Sequence, residues 1–369
     1  MESIIIYGGS FDPIHNGHLR IARAASMLLN ADVVFVPSKT PRWKTPEATA
    51  KQRLEMLQLA LKKDGSPAFS IDLFEMLGHS ETNYSIDLVR HMALAHKNTK
   101  LYLLIGADEV NSFPNWKDPE KICELATPLY VSRPDVVIDD AVLSKYKMMR
   151  LPYEGSGPVS SSKVRNLQDI DVPLAVRDYI ESNGLYYMAK LRTLLSSKRI
   201  LHSVSVANLA HSIAAKNKVE NYRGAYIAGL LHDCGKEMDE ETTLKIMKER
   251  FPEFADYPRW TYHQFVGAFL AETIFGIKDP AILDAIKFHA TGRAHMPPLS
   301  KIIYASDKIE PTRGFDSRRL MNACYRNYYV GFMAVLSANR DYLRSKGYVV
   351  DNPSTKQCFE LYLGDDEEE

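Results

Sequence analysis

The chain has 369 residues, 45% apolar and 25% charged, with 46 basic against 46 acidic side chains. That length exceeds an ordinary single domain and suits two. The charge balance excludes a global field drawing the chain to nucleic acid or a membrane surface, and no apolar run approaches the roughly 20 residues of a membrane helix. The 4 cysteines form no CxxC pair, which predicts reduced thiols in a cytoplasmic, soluble protein.

In chain order, "SIIIYGG" reads as a buried strand and residues 17–29 as a helix. "DVVFVPS" is a strand, and 51–63 a helix with Leu54, Leu57 and Leu61 on one face. "FSIDLFEM" predicts a strand, 85–97 a helix and "LYLLIGADE" (101–109) a strand, with "PLYVSRP" and "KMMRLP" as further strands. Alternating strands and helices predict a parallel sheet covered on both faces, with ligands beyond the carboxyl ends of its strands. Gly184 closes the last helix of this half, and near 188 the pattern changes. From 191 to 346 apolar residues recur at three and four, so the second half is all-α. No repeat or low-complexity linker separates the halves, which predicts a tight junction. The tail "GDDEEE" reads as a solvated end.

Between the first strand and helix lies "GGSFDPIHNGHL" (8–19). A loop after a strand offers backbone N–H groups, and the helix that follows offers its positive end to an anion. Gly8, Gly9 and Gly17 would allow tight turns and close approach of a phosphate. His15 and His18 stand one helical turn apart, on one side. Two imidazoles so placed can donate hydrogen bonds to phosphorus oxygens as charge builds on them. The alternative is a capped helix start with incidental histidines.

This segment resembles the signature of the HxGH nucleotidyltransferases. "ETNYSIDLVRHM", "LLIGADEVNSFPNWKD", "VSRP", "VSSSKVRN" and "VPLAVRDYIESNGLYY" are similar, in order and spacing, to nicotinate-nucleotide adenylyltransferase. The resemblance covers residues 1–188. It implies a Rossmann-like domain that condenses ATP, carried with Mg²⁺, and nicotinate mononucleotide into deamido-NAD and diphosphate by in-line attack on the α-phosphorus. His15 and His18 would hold the ATP phosphates, and Gly8, Gly9, Ser10 and Phe11 would cradle the nucleotide. Ser161, Ser162 and Arg165 in "SSSKVR" would bind the outer phosphates, although serines there also suit a helix cap. Lys44 in "PRWKTP" would add charge, with Trp43 standing where the family has histidine. The pyridine ring would fall to Thr82, Tyr84 and Trp116, and the ribose to Asp108. Gly106 and Arg133, in two of the matching segments, complete the implied substrate contacts.

In the second half, "LLHDCGK" (230–236) puts His232 and Asp233 in what reads as a helix of small and apolar residues. A buried charge must be paired or bound to metal. His202, His263, His289 and Asp307 each lie in another apolar, helical stretch. One buried histidine is usually an ordinary core residue; four with two aspartates point to a metal site. Mixed nitrogen and oxygen ligands favour iron, manganese, cobalt or zinc. Cys234 reads as helix packing.

"KRILHSVSVA", "AGLLHDCGKEM", "YHQFVGAFLAE", "AIKFHATGR" and "IIYASDKIEPTR" are similar, in that order, to the HD superfamily of metal-dependent phosphohydrolases. They most resemble the bacterial HD enzymes that cleave diadenosine tetraphosphate symmetrically. The resemblance makes 189–369 an all-α HD domain. It implies two divalent ions, iron foremost, held by His202, His232, Asp233 and Asp307 with His263 and His289, Asp233 bridging. Lys236, Arg293 and Arg313 would neutralise polyphosphate. The second domain is thereby expected to hydrolyse diadenosine tetraphosphate to two ADP; hydrolysis of other nucleotides, and a non-catalytic nucleotide sensor that regulates the adenylyltransferase, are the alternatives. The partners implied are small nucleotides, with no nucleic acid and no membrane; a homo-oligomer is compatible with the sequence.

Overall fold

In a computed structural model the chain is described at residues 2–41, 45–78, 84–132, 136–153 and 159–364. It divides into two compact units. One comprises the residues up to Arg165 with Asp169–Tyr186; the other comprises Asn166–Gln168 and the residues from Tyr187 onward.

The first unit runs β1 (Ser3–Gly9), α1 (Asn16–Leu29), β2 (Asp32–Pro37), α2 (Ala50–Asp64), β3 (Phe69–Ile71), α3 (Phe74–Leu77), α4 (Ser85–Ala95), β4 (Lys100–Gly106), α5 (Ala107–Val110), α6 (Pro119–Leu125), β5 (Thr127–Val131), α7 (Asp140–Lys145), β6 (Met149–Leu151), α8 (Ser161–Arg165) and α9 (Leu174–Asn183). All pairings are parallel and the strand order is β3-β2-β1-β4-β5-β6. This is the Rossmann-like α/β architecture expected. Strands buried on both faces read as unbroken apolar runs, which is why "SIIIY" and "DVVFV" were legible. Ile4, Ile6, Val34, Val36, Leu103 and Ile105 form one core with Val89 and Met92 of α4. The order reverses between β1 and β4, so the crevice beyond their carboxyl ends is the topological switch point, where open α/β sheets take their ligands.

Two strands are shorter than their sequence suggests. β3 stops at Ile71 because the Asp72 carboxylate accepts the Phe74 N–H at 2.7 Å and starts a helical turn. β4 stops at Gly106 because the Glu109 carboxylate reaches back to the Gly106 N–H at 3.1 Å. The buried stripe of α2 is Arg53, Met56, Leu57 and Ala60, one position off the leucine face read from the sequence. A buried arginine displaces the pattern.

Among the described residues the second unit has helices and no strand, as expected: α10 (Tyr187–Arg192), α11 (Ser197–Lys216), α12 (Tyr222–Leu231), α13 (Glu240–Arg250), α14 (Tyr262–Thr273), α15 (Pro280–Lys287), α16 (Pro298–Ile309), α17 (Arg318–Arg326), α18 (Tyr328–Ser345) and α19 (Pro353–Leu363). Nearly all of α16 is buried. Its Tyr304 joins Phe332, Leu336 and Phe359 in an apolar cluster with α18 and α19. The four cysteines are free thiols. Among the described residues no helix is long and apolar enough to cross a membrane.

Candidate functional site

In the first unit, the loop between β1 and α1 lies at the switch point. Its turn is made by Phe11, at φ 46, while Gly8 and Gly9 remain in the strand. The Phe11 ring packs back over Gly9 and lies edge-on to His18, centroids 5.3 Å apart. Gly17 is likewise not a turn residue. It lies in the first turn of α1, where a Cβ would stand 2.6 Å from Val159 and 2.9 Å from His15 Nδ1. The glycine is needed for close approach of the segment that leads into α8.

The two histidines cap their own helix. His15 is the N-cap, and its Nδ1 accepts the His18 N–H at 3.3 Å; His18 Nδ1 accepts the His15 N–H at 3.2 Å. Serine or aspartate does this work in most helices. Here the bond pattern assigns both Nδ1 atoms as acceptors, so each neutral ring carries its proton on Nε2. The rings stack at 3.6 Å between centroids, presenting paired donors.

α8 is sewn to the same loop. Ser161 donates to the Pro13 carbonyl at 3.0 Å, and Arg165 donates to the Asp12 carbonyl and to Glu47, each at 2.7 Å. Ser162 is exposed beside them. Sequence reasoning passed over Asp12 and Arg53. The buried Asp12 carboxylate accepts from Glu47 N–H, Ala48 N–H and Tyr186 Oη at 2.9, 3.2 and 2.8 Å. Burial, reinforced by Asp12, pushes the Tyr186 hydroxyl far above its ordinary pKa. Arg53 donates to the carbonyls of Ser10, Ser38 and Lys39 at 2.6, 2.7 and 2.9 Å, holding the backbone beyond β1 and β2 together. Its one sequence signal was a charge in phase with Met56 and Leu57.

Across the switch point, Gly106 ends β4 and Asp108 is exposed in the first turn of α5. Tyr84 and Trp116 pack half-buried against one core cluster, with the Lys117 ammonium 4.3 Å from the Tyr84 ring. Lys44, Thr82 and Arg133 lie outside the described residues.

In the second unit His202 sits on α11, His263 at the start of α14 and Asp307 on α16. His232 and Asp233 lie just past α12 and His289 just past α15, in turns rather than helices. The departure has a steric cause. A Cβ on Gly235 would stand 2.7 Å from both Gly267 N and the His263 carbonyl, so the 232–236 turn runs against α14.

All six predicted metal residues come together. Each histidine gives Nδ1 to an oxygen: His202 to Glu310 at 2.9 Å, His232 to the Gly229 carbonyl at 2.7 Å, His263 to that of Trp260 and His289 to that of Ile286, both at 2.8 Å. Such bonds fix the tautomer and turn Nε2 inward. His202 Nε2 faces His232 Nε2 at 3.2 Å, and His263 Nε2 faces His289 Nε2 at 3.2 Å. Asp233 lies between the pairs, Oδ1 at 3.4 and 3.5 Å from His263 and His289, Oδ2 at 3.9 and 3.7 Å from His202 and His232. Asp307 Oδ1 closes the first pair at 3.2 and 3.6 Å. Two sets of donor atoms, His202–His232–Asp233 and Asp233–His263–His289, each fall within 4.8 Å. Lone pairs facing one another at that distance need a cation between them, so the cluster fits divalent metal. It contains no thiolate: the Cys234 Sγ donates to the Gly267 carbonyl at 3.3 Å.

The electrostatics agree. Burial alone would raise the Asp233 carboxyl, but His232, His289 and His263 hold it well below the usual carboxylate range. Asp307 is held down against burial by His202 and His232. Burial, with the neighbouring imidazole and Lys236, keeps His263 neutral. Lys236 Nζ lies 3.2 Å from His263 Nδ1, Arg313 donates to Asp307 at 2.6 Å, and Arg199, which sequence reasoning missed, donates to Asp233 at 2.8 Å. Arg199 precedes His202 by three residues, the helical spacing that could have revealed it. Glu310, also missed, follows Asp307 by three. Arg293 is engaged elsewhere, with Asp284 at 2.8 Å.

Comparison with known proteins agrees with this division. Residues 6–167 match the cytidylyltransferase-like family and residues 199–312 the HD domain family. A Mycoplasma genitalium protein named "Probable nicotinate-nucleotide adenylyltransferase/Ap4A hydrolase" is 33% identical over 85% of this chain and 88% of its own length. Its namesake in Mycoplasma pneumoniae is 30% identical over 84% of this chain and 89% of its own. A Geobacillus kaustophilus protein named "Probable nicotinate-nucleotide adenylyltransferase" is 35% identical over 50% of this chain and 87% of its own length. The chain therefore belongs to the family of two-domain proteins that fuse a cytidylyltransferase-like domain to an HD domain, the family of those two mycoplasma proteins.

Proposed function

We propose that the protein carries two activities, one in each unit. The first unit joins ATP and nicotinate mononucleotide into deamido-NAD and diphosphate. A phosphate oxygen of the mononucleotide attacks the α-phosphorus of Mg²⁺-bound ATP, the bond to the bridging oxygen breaks, and diphosphate leaves. The chain contributes position and charge. His15 and His18 donate Nε2–H to phosphate oxygens, the N-terminus of α1 adds its partial positive charge, and Arg165 with Ser161 and Ser162 holds the outer phosphates. Arg165 exchanges Glu47 for phosphate as it does so.

The second unit hydrolyses diadenosine tetraphosphate to two ADP. His202, His232, Asp233 and Asp307 would hold one divalent ion and Asp233, His263 and His289 a second. Bound there, such ions supply activated water and neutralise phosphoryl charge. The chain positions the rest: Lys236, Arg199 and Arg313 surround the cluster with positive charge suited to a polyphosphate. Water adds to one inner phosphorus and the central bridging oxygen leaves on the other, so both products are ADP.

The observation that carries this reading is the placement of Asp233 between two inward-facing histidine pairs. Metal analysis of the purified protein tests it. About two divalent ions per chain are expected; a correctly folded, active preparation free of metal would contradict it.

A further inference from the structure

Beside the His–Asp cluster lies a cavity of about 340 Å³, a size suited to a small molecule. Lys236, His263, Met238, Leu244, Tyr262 and Trp260 line it, together with the paired Arg259 and Glu240. Trp260 is 54% exposed, although tryptophan is among the side chains that gain most from cover. It sits in a short 3-10 turn, Arg259–Thr261, immediately before α14. The Trp260 carbonyl accepts the His263 Nδ1–H at 2.8 Å, and Arg259 pairs with Glu240 at the start of α13. The turn that orients a cluster histidine thus also offers an open indole, on a mount tied at both sides.

Aromatic and apolar side chains share this cavity with the Lys236 ammonium and a histidine of the cluster, a lining that matches a ligand with a flat ring and an anionic tail. We propose that it seats one nucleobase of a nucleoside polyphosphate against the Trp260 indole, with the phosphates running past Lys236 to the cluster. The proposal rests on the hydrolase reading and adds the residue that recognises the base. Stacking of a base on an aromatic side chain is strong enough to be read in a single substitution.

The test uses the full chain loaded with Mn²⁺, in wild-type, Trp260→Ala and Trp260→Phe forms. ADP should quench tryptophan emission in wild type by a component that Trp260→Phe lacks, and pyrophosphate, which has no base, should not. Trp260→Ala should raise the KM for diadenosine tetraphosphate and the inhibition constant of ADP about tenfold. Trp260→Phe should recover most of both. Inhibition by pyrophosphate should stay within twofold and metal content should be unchanged. The proposal is overturned if ADP constants stay within twofold in Trp260→Ala, or if pyrophosphate weakens in parallel, since the residue would then act only through His263. A wild type that shows the Trp260 quench yet leaves diadenosine tetraphosphate intact would sink the hydrolase substrate and keep the base seat.

Discussion

Each of the four imidazoles of the His–Asp cluster spends one nitrogen on an oxygen and points the other inward, and the protein can be challenged one such bond at a time. His202 depends on the Glu310 carboxylate at 2.9 Å. Glu310→Gln should weaken metal binding about ten- to hundredfold, read by chelator competition, while leaving the helical content unchanged. In the first unit, His18→Ala removes one of the two proposed hydrogen-bond donors to phosphate and one half of the reciprocal cap. Dinucleotide formation should fall about 10²- to 10³-fold with hydrolysis spared; equal loss of both would mean that the activities are not separable. A third residue concerns stability. Burial lifts the Glu181 carboxyl to about 7, opposed by Arg177 and aided by Asp178. Its folded pKa lies above the unfolded one, so between about pH 4.5 and 7 the folded state keeps a proton that the unfolded chain releases. Its contribution therefore falls as pH rises through that window. Glu181→Gln should stabilise the chain against denaturant by roughly 1–3 kcal/mol at pH 8 and by little at pH 4. At this scale the sequence showed residues whose chemistry is rare in apolar surroundings, the six His and Asp of the cluster. It hid those whose chemistry is ordinary at a surface. Arg53 and Arg199 were passed over because their partners, carbonyls from distant loops and an aspartate 34 residues away, are not visible in the sequence around them.

The elements were legible where burial imposes a period and misread where a polar side chain intervenes. β1, β2 and β4 stood out as apolar runs, and the helices of the second unit as three-four patterns. The ends failed. Asp72 and Glu109 turn the chain by bonding to backbone N–H groups, a local event invisible to hydrophobic pattern. The turn bearing His232 and Asp233 was read as helix because its residues are small and apolar. It leaves α12 because Gly235 allows the backbone to run against α14. Gly235→Ala should therefore push the turn off α14, costing about 1–3 kcal/mol and most of the bound metal. The measurement is metal content alongside unfolding; unchanged metal in a folded variant would separate the glycine from the site.

For the whole molecule, each unit carries its own proposed phosphate-handling centre, and both were legible in the sequence because each is built on a short, dense motif. The reaction proposed for each centre draws on its donors: paired imidazole N–H groups at a helix start in one, inward lone pairs around a carboxylate in the other. The domain limits of 1–188 and 189–369 are proposed as the functional division, and each activity should survive loss of the other. The most direct measurement is product identification after incubating diadenosine tetraphosphate with wild type and with His18→Ala. Both should yield ADP as the sole nucleotide product, at equal rates. ATP together with AMP, or no cleavage by a metal-loaded wild type, would contradict the account.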